Sequence, residues 1–442
     1  MKLIEVILIV GIVLIGTCYC PRPPIPSFCK DEKFRAVVTK MKFNFALKLL
    51  RQSSPPNESS LLSPFAIINM LSMLHNVVGD EIQLQMKAVI AGVDESFLKQ
   101  HTPISQSCQC YVTDILKQNV IFNENRYMER LSKLWVQENI TLTSDFTNVL
   151  TSDHYVEIGR AYLSPQNVTN FAQEVITWME EDPDYETRNI IFLNFNFMIY
   201  LASKFHIEAE WKYPFLPLSH SIFFNVSPSE AVTVPMMGMS AYFPYYEDDN
   251  VQVVSIPFEN GKLQMAIILP KEMCGLQEFE MELTGELLIS YIDALRTSVE
   301  VVVLIPKFAY IKYFALSNAL ENMGMKSIFN QSANFSRITD HTLGIAHPMI
   351  NLAAIEINER GITNISSTFG ATIDEDFNRN QPNVRADHPF LYIIFDNQKN
   401  IQWIGRFTAQ ERILNKRGNS IKRKRSCKSG KCHNTVQRKL LF

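Results

Sequence analysis

Seven Asn-x-Ser/Thr triplets, beginning at Asn57, Asn139, Asn167, Asn225, Asn330, Asn334 and Asn364, are the residues whose type and spacing most plainly define a chemistry. In a secreted chain each offers its side-chain amide as acceptor for an N-linked glycan on a surface loop. Pro228, just beyond the Asn225 triplet, makes that acceptor a weaker one. Nucleophilic, metal and phosphate chemistry have no comparable signature. The chain has no Gly-x-Ser-x-Gly elbow, no His-Glu-x-x-His pair, no phosphate-cradling glycine loop and no Cys-x-x-Cys pair. Its nine His are scattered. No catalytic residue, metal or cofactor is expected, and the chain does not read as an enzyme.

Charge is the next chemical feature. From Arg412 to Phe442 there are eleven Lys or Arg and no Asp or Glu; removing them from a formal net charge of -3 leaves a body near -14. Within this tail, Lys422, Arg423, Lys424 and Arg425 could bind a sulfated polysaccharide, attract an acidic surface or be trimmed by a processing protease. A solvated, disordered tail is the plainer alternative.

The first twenty residues resemble an export signal. Lys2 gives a basic start, Val6 to Ile15 an apolar stretch, and Gly16 to Cys20 small residues for cleavage. The stretch is short for a membrane span, an uncleaved anchor being the alternative, and no second run of spanning length follows. A secreted, extracellular protein is therefore expected, with no membrane span and no nucleic-acid partner. Cys29, Cys108, Cys110, Cys274, Cys427 and Cys432 remain after cleavage, and an oxidising compartment permits disulfides whose pairing the spacing leaves open.

These groups need a scaffold, and 442 residues that are 46% hydrophobic and 20% charged can build one large domain or two smaller ones. Pro21 to Pro26 predicts a stiff extended leader. Phe34, Val37, Val38, Met41, Phe45 and Leu49 recur at helical spacing, and Pro64 opens an apolar helix through Val78. Further helices are expected from residue 80 to 130, interrupted at Cys108 to Cys110. From Ser132 the character changes: a short strand at Leu134 to Val136, a helix over Asn167 to Glu181 and an alternating apolar run over Ile190 to Ile207. Strands follow at Val232 to Met237, Val251 to Phe258, Leu263 to Leu269 and Val299 to Ile305, then a helix over Leu316 to Met323 stopped by Gly324. Helices first and strands later imply an α+β fold.

The end of the scaffold is organised around Ile355 to Phe407. Ile355 to Asn358 alternates like a half-buried strand, and Pro389 to Phe395 is a nearly continuous apolar run. Between them, Gly361 to His388 lacks helical periodicity and is rich in Ser, Thr, Asn and Asp. A structureless connection of that length in a compact domain is a functional loop or a disordered one.

Several motifs share an order and spacing similar to those of the serpin family, from about Phe34 to Phe407. They are Ser63-Pro64 with Met70 to Leu74; Lys204-Phe205 followed by Trp211, Pro214 and Phe215; Val234 to Met237; and Ile305-Pro306-Lys307-Phe308. Leu320 to Gly324, Phe329-Asn330, Ala333 to Ser336, Ala386 to Leu391 and Ile404 to Phe407 continue the series. The resemblance implies a single α+β serpin domain over 34–410, with a large central mixed sheet, two further sheets and about eight or nine helices. Flanking it would be the signal (1–20), the Pro-rich leader (21–33) and a disordered basic tail (411–442). It also implies a loop offered to a serine protease, and a monomer is assumed. In inhibitory members the cut loop inserts its upstream half as a new strand in the central sheet while the protease is still acylated.

Inhibitory hinges resemble Glu-Glu-Gly-Thr-Glu followed by several alanines and a threonine. Here the segment is Glu359, Arg360, Gly361, Ile362, Thr363, Asn364, Ile365, Ser366, Ser367, Thr368. Glu359, Gly361 and Thr368 agree with the pattern. An unpaired Asn364 under the sheet costs about 1–3 kcal/mol, and a glycan on it could not be buried without stripping its hydroxyls of water. Asn351, Ser203 and Ala66 stand where inhibitory members commonly have His, Asn and Ser; either the opening mechanism is altered, or Asn351 and Ser203 rebuild the same network. The usual loop length puts the bait bond at Glu375-Asp376, and a longer loop puts it at Arg379. These residues together predict a secreted, glycosylated binding or carrier protein with weak or no inhibitory activity. The alternative is a functioning suicide-substrate inhibitor acting through residues 359–388.

Overall fold

The computed structural model describes residues 27–75, 78–101, 104–108, 110–111, 128–162, 168–179, 199–219, 221–295, 298–330, 333, 335, 338, 349–362 and 381–409. Outside them lie the export signal, Thr363 to Thr368, Glu375, Asp376, Arg379, the acceptors Asn167, Asn334 and Asn364, and the tail with Lys422, Arg423, Lys424 and Arg425.

Asp31 accepts from Lys33 N at 2.9 Å and caps helix α1 (Glu32–Ser53). Strand β1 (Ser60–Leu62) leads into α2 (Pro64–His75), whose first turn is fixed by Ser63 Oγ accepting from Ala66 N at 3.1 Å. Every residue of α2 from Pro64 to Leu74 is buried, as a helix apolar all round requires. Next come α3 (Asp80–Ala91), α4 (Glu95–Gln100) and β2 (Met128–Gln137), then α5 (Ser144–Asn148), β3 (Glu157–Ala161) and α6 (Val168–Met179). Strands β4 (Ile199–Ile207), β5 (Ala209–Glu210), β6 (Leu216–Pro217), β7 (Ile222–Ser227), β8 (Glu230–Val234) and β9 (Met236–Glu247) follow. After β10 (Val251–Pro257) and β11 (Leu263–Pro270) come α7 (Leu276–Glu282) and α8 (Gly285–Ala294), two helices the periodicity did not reveal. The chain continues through β12 (Ser298–Pro306), β13 (Phe308–Ala315), α9 (Leu316–Met323), β14 (Ile350–Asn358) and β15 (Gly361–Ile362). It closes with β16 (Asn383–Arg385), β17 (Phe390–Asp396) and β18 (Ile401–Phe407).

The central sheet runs β3-β2-β4-β14-β15-β5, with β13 also on β14, and it is mixed because β2–β3 and β4–β14 are parallel. Strand β14 therefore carries β13 along one edge; along the other it meets β4 at its lower end and β15 at its upper end. A second, nine-stranded sheet contains β17, β18 and β9 to β12, with β16 parallel to β12; β7 and β8 form a separate hairpin. The main core spans α1, α2 and both large sheets. A smaller core forms where α6 lies over the central sheet: Phe171, Ala172 and Val175 pack on Trp135, Tyr200, Ala202 and Leu352. Trp135 Nε1 donates to Glu174 Oε1 at 2.7 Å, fixing the helix against β2.

Two covalent or buried polar ties complete the frame. Cys29 and Cys110 form a disulfide, which settles part of a pairing that the spacing left open and holds the N-terminal segment to the body. Arg406, fully buried in β18, donates to the Leu50, Ser54 and Pro55 carbonyls at 3.0–3.2 Å and lies 3.5 Å from Glu280. The last strand is thereby bound to the end of α1. Among the described residues no helix is long and apolar enough to cross a membrane, and no group of three or more His, Cys, Asp or Glu could hold a metal ion.

Candidate functional site: the hinge of the loop and the seam below it

At the top of β14 the chain reverses. Asn358 Oδ1 accepts from Arg360 N at 3.0 Å, closing the turn at Glu359-Arg360. Gly361 and Ile362 then form β15, antiparallel to β14 (Ile357↔Ile362, Asn358↔Gly361) and to β5 (Gly361↔Glu210, Ile362↔Ala209). The first two residues past the turn already lie as a strand between β14 and β5. This corrects the expectation of a structureless connection from Gly361 to His388: its two ends are the strands β15 and β16. The reason is that backbone groups of β14, β5 and β12 facing those ends need partners.

Gly361 has φ 146°, and a Cβ there would lie 2.0 Å from Ala209 O and 2.8 Å from Glu210 Cα. Only glycine fits. Ile362 is 1% exposed and joins the main core with Ile357 and Ala209. Around the turn, Trp211 N donates to Arg360 O at 2.7 Å, Trp211 Nε1 to Asn358 O at 2.9 Å and Phe215 N to Glu359 O at 2.9 Å. Glu359, with its side chain 6% exposed, is paired with Lys307 Nζ at 2.8 Å. Trp211 and Phe215 are quoted above as motif residues, but nothing in their spacing foretold these bonds. Lys307 as the partner of Glu359 had no sequence signal.

Below the hinge, β4 and β14 are closed on each other over four residue pairs, from Ile350↔Ala202 to Ala353↔Phe205. A buried polar row crosses this seam. Ser132 Oγ donates to Ser203 Oγ at 3.2 Å, and Asn351 Nδ2 reaches Ser203 O at 3.4 Å. Asn351 Oδ1 is buried and has no hydrogen-bond partner among the described residues. Asn351 and Ser203 thus rebuild a polar network only in part, and Ala66, fully buried, adds no polar group to it.

On the far side of the loop, β16 is followed by a small charged cluster. Asp387 takes Arg385 Nε at 2.9 Å and His388 Nδ1 at 3.0 Å, and His388 Nε2 faces Pro270 O at 2.7 Å. Burial pushes the Asp387 carboxyl up, but His388 and Arg385 outweigh it and hold it below the usual Asp value. Of the glycan acceptors, Asn57, Asn139 and Asn330 are exposed, whereas Asn225 is half-buried and its Nδ2 lies 3.4 Å from Asp387 O.

A family model described as Serpin (serine protease inhibitor) matches residues 41–409. The chain belongs to the serpin family. Serpins are protease inhibitors rather than catalytic enzymes, and the family's targets are serine proteases. Ovalbumin of Dromaius novaehollandiae is 25% identical over 369 residues, covering 79% of this chain and 93% of that protein. Iripin-2 of Ixodes ricinus is 24% identical over 368 residues, covering 81% and 90%. In fold, a thyroxine-binding globulin complex with thyroxine matches with TM-score 0.70 at 20% identity, over 84% of this chain and 98% of that one. The α+β architecture, with a large mixed central sheet and two further sheets, is the serpin fold.

Proposed function

We propose that this serpin is a secreted, glycosylated binding or carrier protein whose loop does not complete insertion into the central sheet. The observation that carries the reading is the register at the hinge. Antiparallel pairing advances two residues on one strand for two on the other, so Ile357↔Ile362 continues downward as Ile355 opposite Asn364 and Ala353 opposite Ser366. Ile355, Ala353, Ile357 and Ile362 all face the main core. Asn364 would enter that apolar face directly below Ile362, and a glycan on it would stop the strand there. The Cys29–Cys110 disulfide fits an oxidising compartment, and a solved serpin-fold protein that holds thyroxine makes carriage compatible with the fold.

One observation favours the other reading, a suicide-substrate inhibitor. The same register sets Thr368 opposite Asn351, whose Oδ1 has no partner while the sheet is closed. A threonine hydroxyl there would supply the missing donor. Incubating the secreted protein with a panel of trypsin-, chymotrypsin- and elastase-type proteases separates the two. Cleavage of the loop without a denaturation-resistant adduct supports the carrier; a stoichiometric adduct overturns it. If only an Asn364→Gln variant forms the adduct, the block lies at that residue.

A further inference from the structure

The loop returns to the body on β16, and His388, in the segment that follows that strand, is 8% exposed. Both of its ring nitrogens face an oxygen: Nδ1 lies 3.0 Å from Asp387 Oδ1, and Nε2 lies 2.7 Å from Pro270 O. Neither oxygen has a proton to give. A carbonyl only accepts; burial pushes the Asp387 carboxyl up, but His388 and Arg385 hold it below the usual value, so it too is an acceptor. A neutral imidazole carries one N-H and one lone pair. In either tautomer one of the two contacts would set lone pair against lone pair at hydrogen-bond distance, whereas the imidazolium donates at both.

Three elements meet at this ring. Pro270 ends β11, and Asp387 O accepts from the backbone N of Asn225, in β7, at 2.8 Å. Strand β16 itself runs along β12, and Ala386 N continues that pairing by donating to Leu304 O at 2.9 Å. The ring thus fastens the exit of the loop to the end of β11 and, through Asp387, to β7. The charges around it are accounted for on each side. Arg385 Nε lies 2.9 Å from Asp387 Oδ2, and β7 presents the uncharged Asn225. Behind Pro270, Lys271 is paired with Glu247 of β9 at 3.4 Å, and its backbone N donates to Asn250 O, just past Asp248 and Asp249.

We infer that His388 is a pH-sensitive clasp on the exit strand of the loop, closed while its ring carries both protons and opened when the ring loses one. The protonated ring gains two acceptors on folding. Its contribution is therefore complete on the acid side of the ordinary histidine value, about 6.5, and is lost as pH rises beyond it. Asp387 sets the acid limit, because its carboxyl, once protonated, no longer attracts the imidazolium. Opening frees the Asp387-His388 segment from β7 and from the end of β11 while β16 stays paired with β12. The device loosens the anchorage of the loop without unfolding the domain, and it operates whether or not the loop inserts.

Hydrogen exchange of the full chain, followed by mass spectrometry and corrected for the intrinsic pH dependence of exchange, tests this at about pH 5 and about pH 8, on either side of the histidine range. Peptides containing Asn225, whose N-H is held by Asp387 O, should lose protection by about tenfold at the higher pH, the equivalent of one pH unit of linkage. Peptides covering the pairing of β1 with β18, remote from the ring in sequence and bonding, should not. In His388→Gln the side-chain amide can still donate to Pro270 O but does not titrate, so the protection of Asn225 should be the same at both pH values. Equal protection at both values in the unaltered chain, or the same loss in the variant, overturns the clasp. If the variant does not fold, the contrast between the Asn225 and β1–β18 peptides in the unaltered chain decides: a selective loss supports the clasp, and a uniform one overturns it.

Discussion

The two ends of β14 are in different states. At its upper end a new strand has already been admitted: Gly361 and Ile362 sit between β14 and β5, with Trp211 and the Lys307–Glu359 pair holding the turn above them. At its lower end β14 is closed on β4 through four residue pairs that include a buried polar row and a carboxamide oxygen with no partner. The difference teaches where insertion would stall. Glycine and isoleucine fit the upper gap, the first because it has no side chain and the second because it is apolar. Going further requires burying Asn364 opposite Ile355 and then, from Ser366 opposite Ala353, parting the seam.

Four substitutions break or sharpen this contrast. Gly361→Ala places a methyl group on the Ala209 carbonyl at a φ unsuited to alanine, and should cost about 2–4 kcal/mol or expel β15. Faster amide exchange at Ala209 and Glu210 would report the expulsion. Lys307→Ala leaves the Glu359 carboxylate nearly buried and unpaired. The lysine side chain is itself 32% exposed, so the expected loss is about 1–3 kcal/mol by denaturant titration, less than for a fully buried pair. Asn351→Leu acts at the other end of the strand and in the opposite direction. It removes the unpartnered oxygen and should stabilise the closed sheet by about 1 kcal/mol, read as a higher denaturation midpoint.

The smallest effect lies on the exit side of the loop. Because the folded carboxyl of Asp387 is held below its unfolded value, the stability it contributes is present above the unfolded Asp range near pH 4 and is lost as pH falls through the lower folded value. Asp387→Asn should therefore flatten the acid limb of a stability-against-pH curve and leave the neutral region almost unchanged apart from a small constant loss.

Local grammar made parts of this legible in the sequence. Ser63-Pro64 before an apolar run specifies α2, Gly324 ends α9, and the alternating residues before Glu359 mark β14, because caps, breakers and periodicity are short-range signals. The docking of β15 was not legible, since it depends on β5, some 150 residues earlier, and on the space beside one glycine. Likewise Leu134 to Val136 reads as a three-residue strand, yet β2 extends over ten because β4 offers a partner along its whole length. The Asn351 and Ser203 substitutions were visible as letters. That they leave one acceptor unpaired follows only from their placement on adjacent strands.

The central claim is the proposal that the loop, once cut, does not complete a strand in the central sheet beyond the Gly361-Ile362 hinge. The most direct test nicks the loop between residues 363 and 380 with a nonspecific protease and compares Tm before and after. The account predicts no appreciable rise. An increase of more than about 10 °C, equivalent to several kcal/mol of new strand pairing, would mean that the loop inserts and would contradict it.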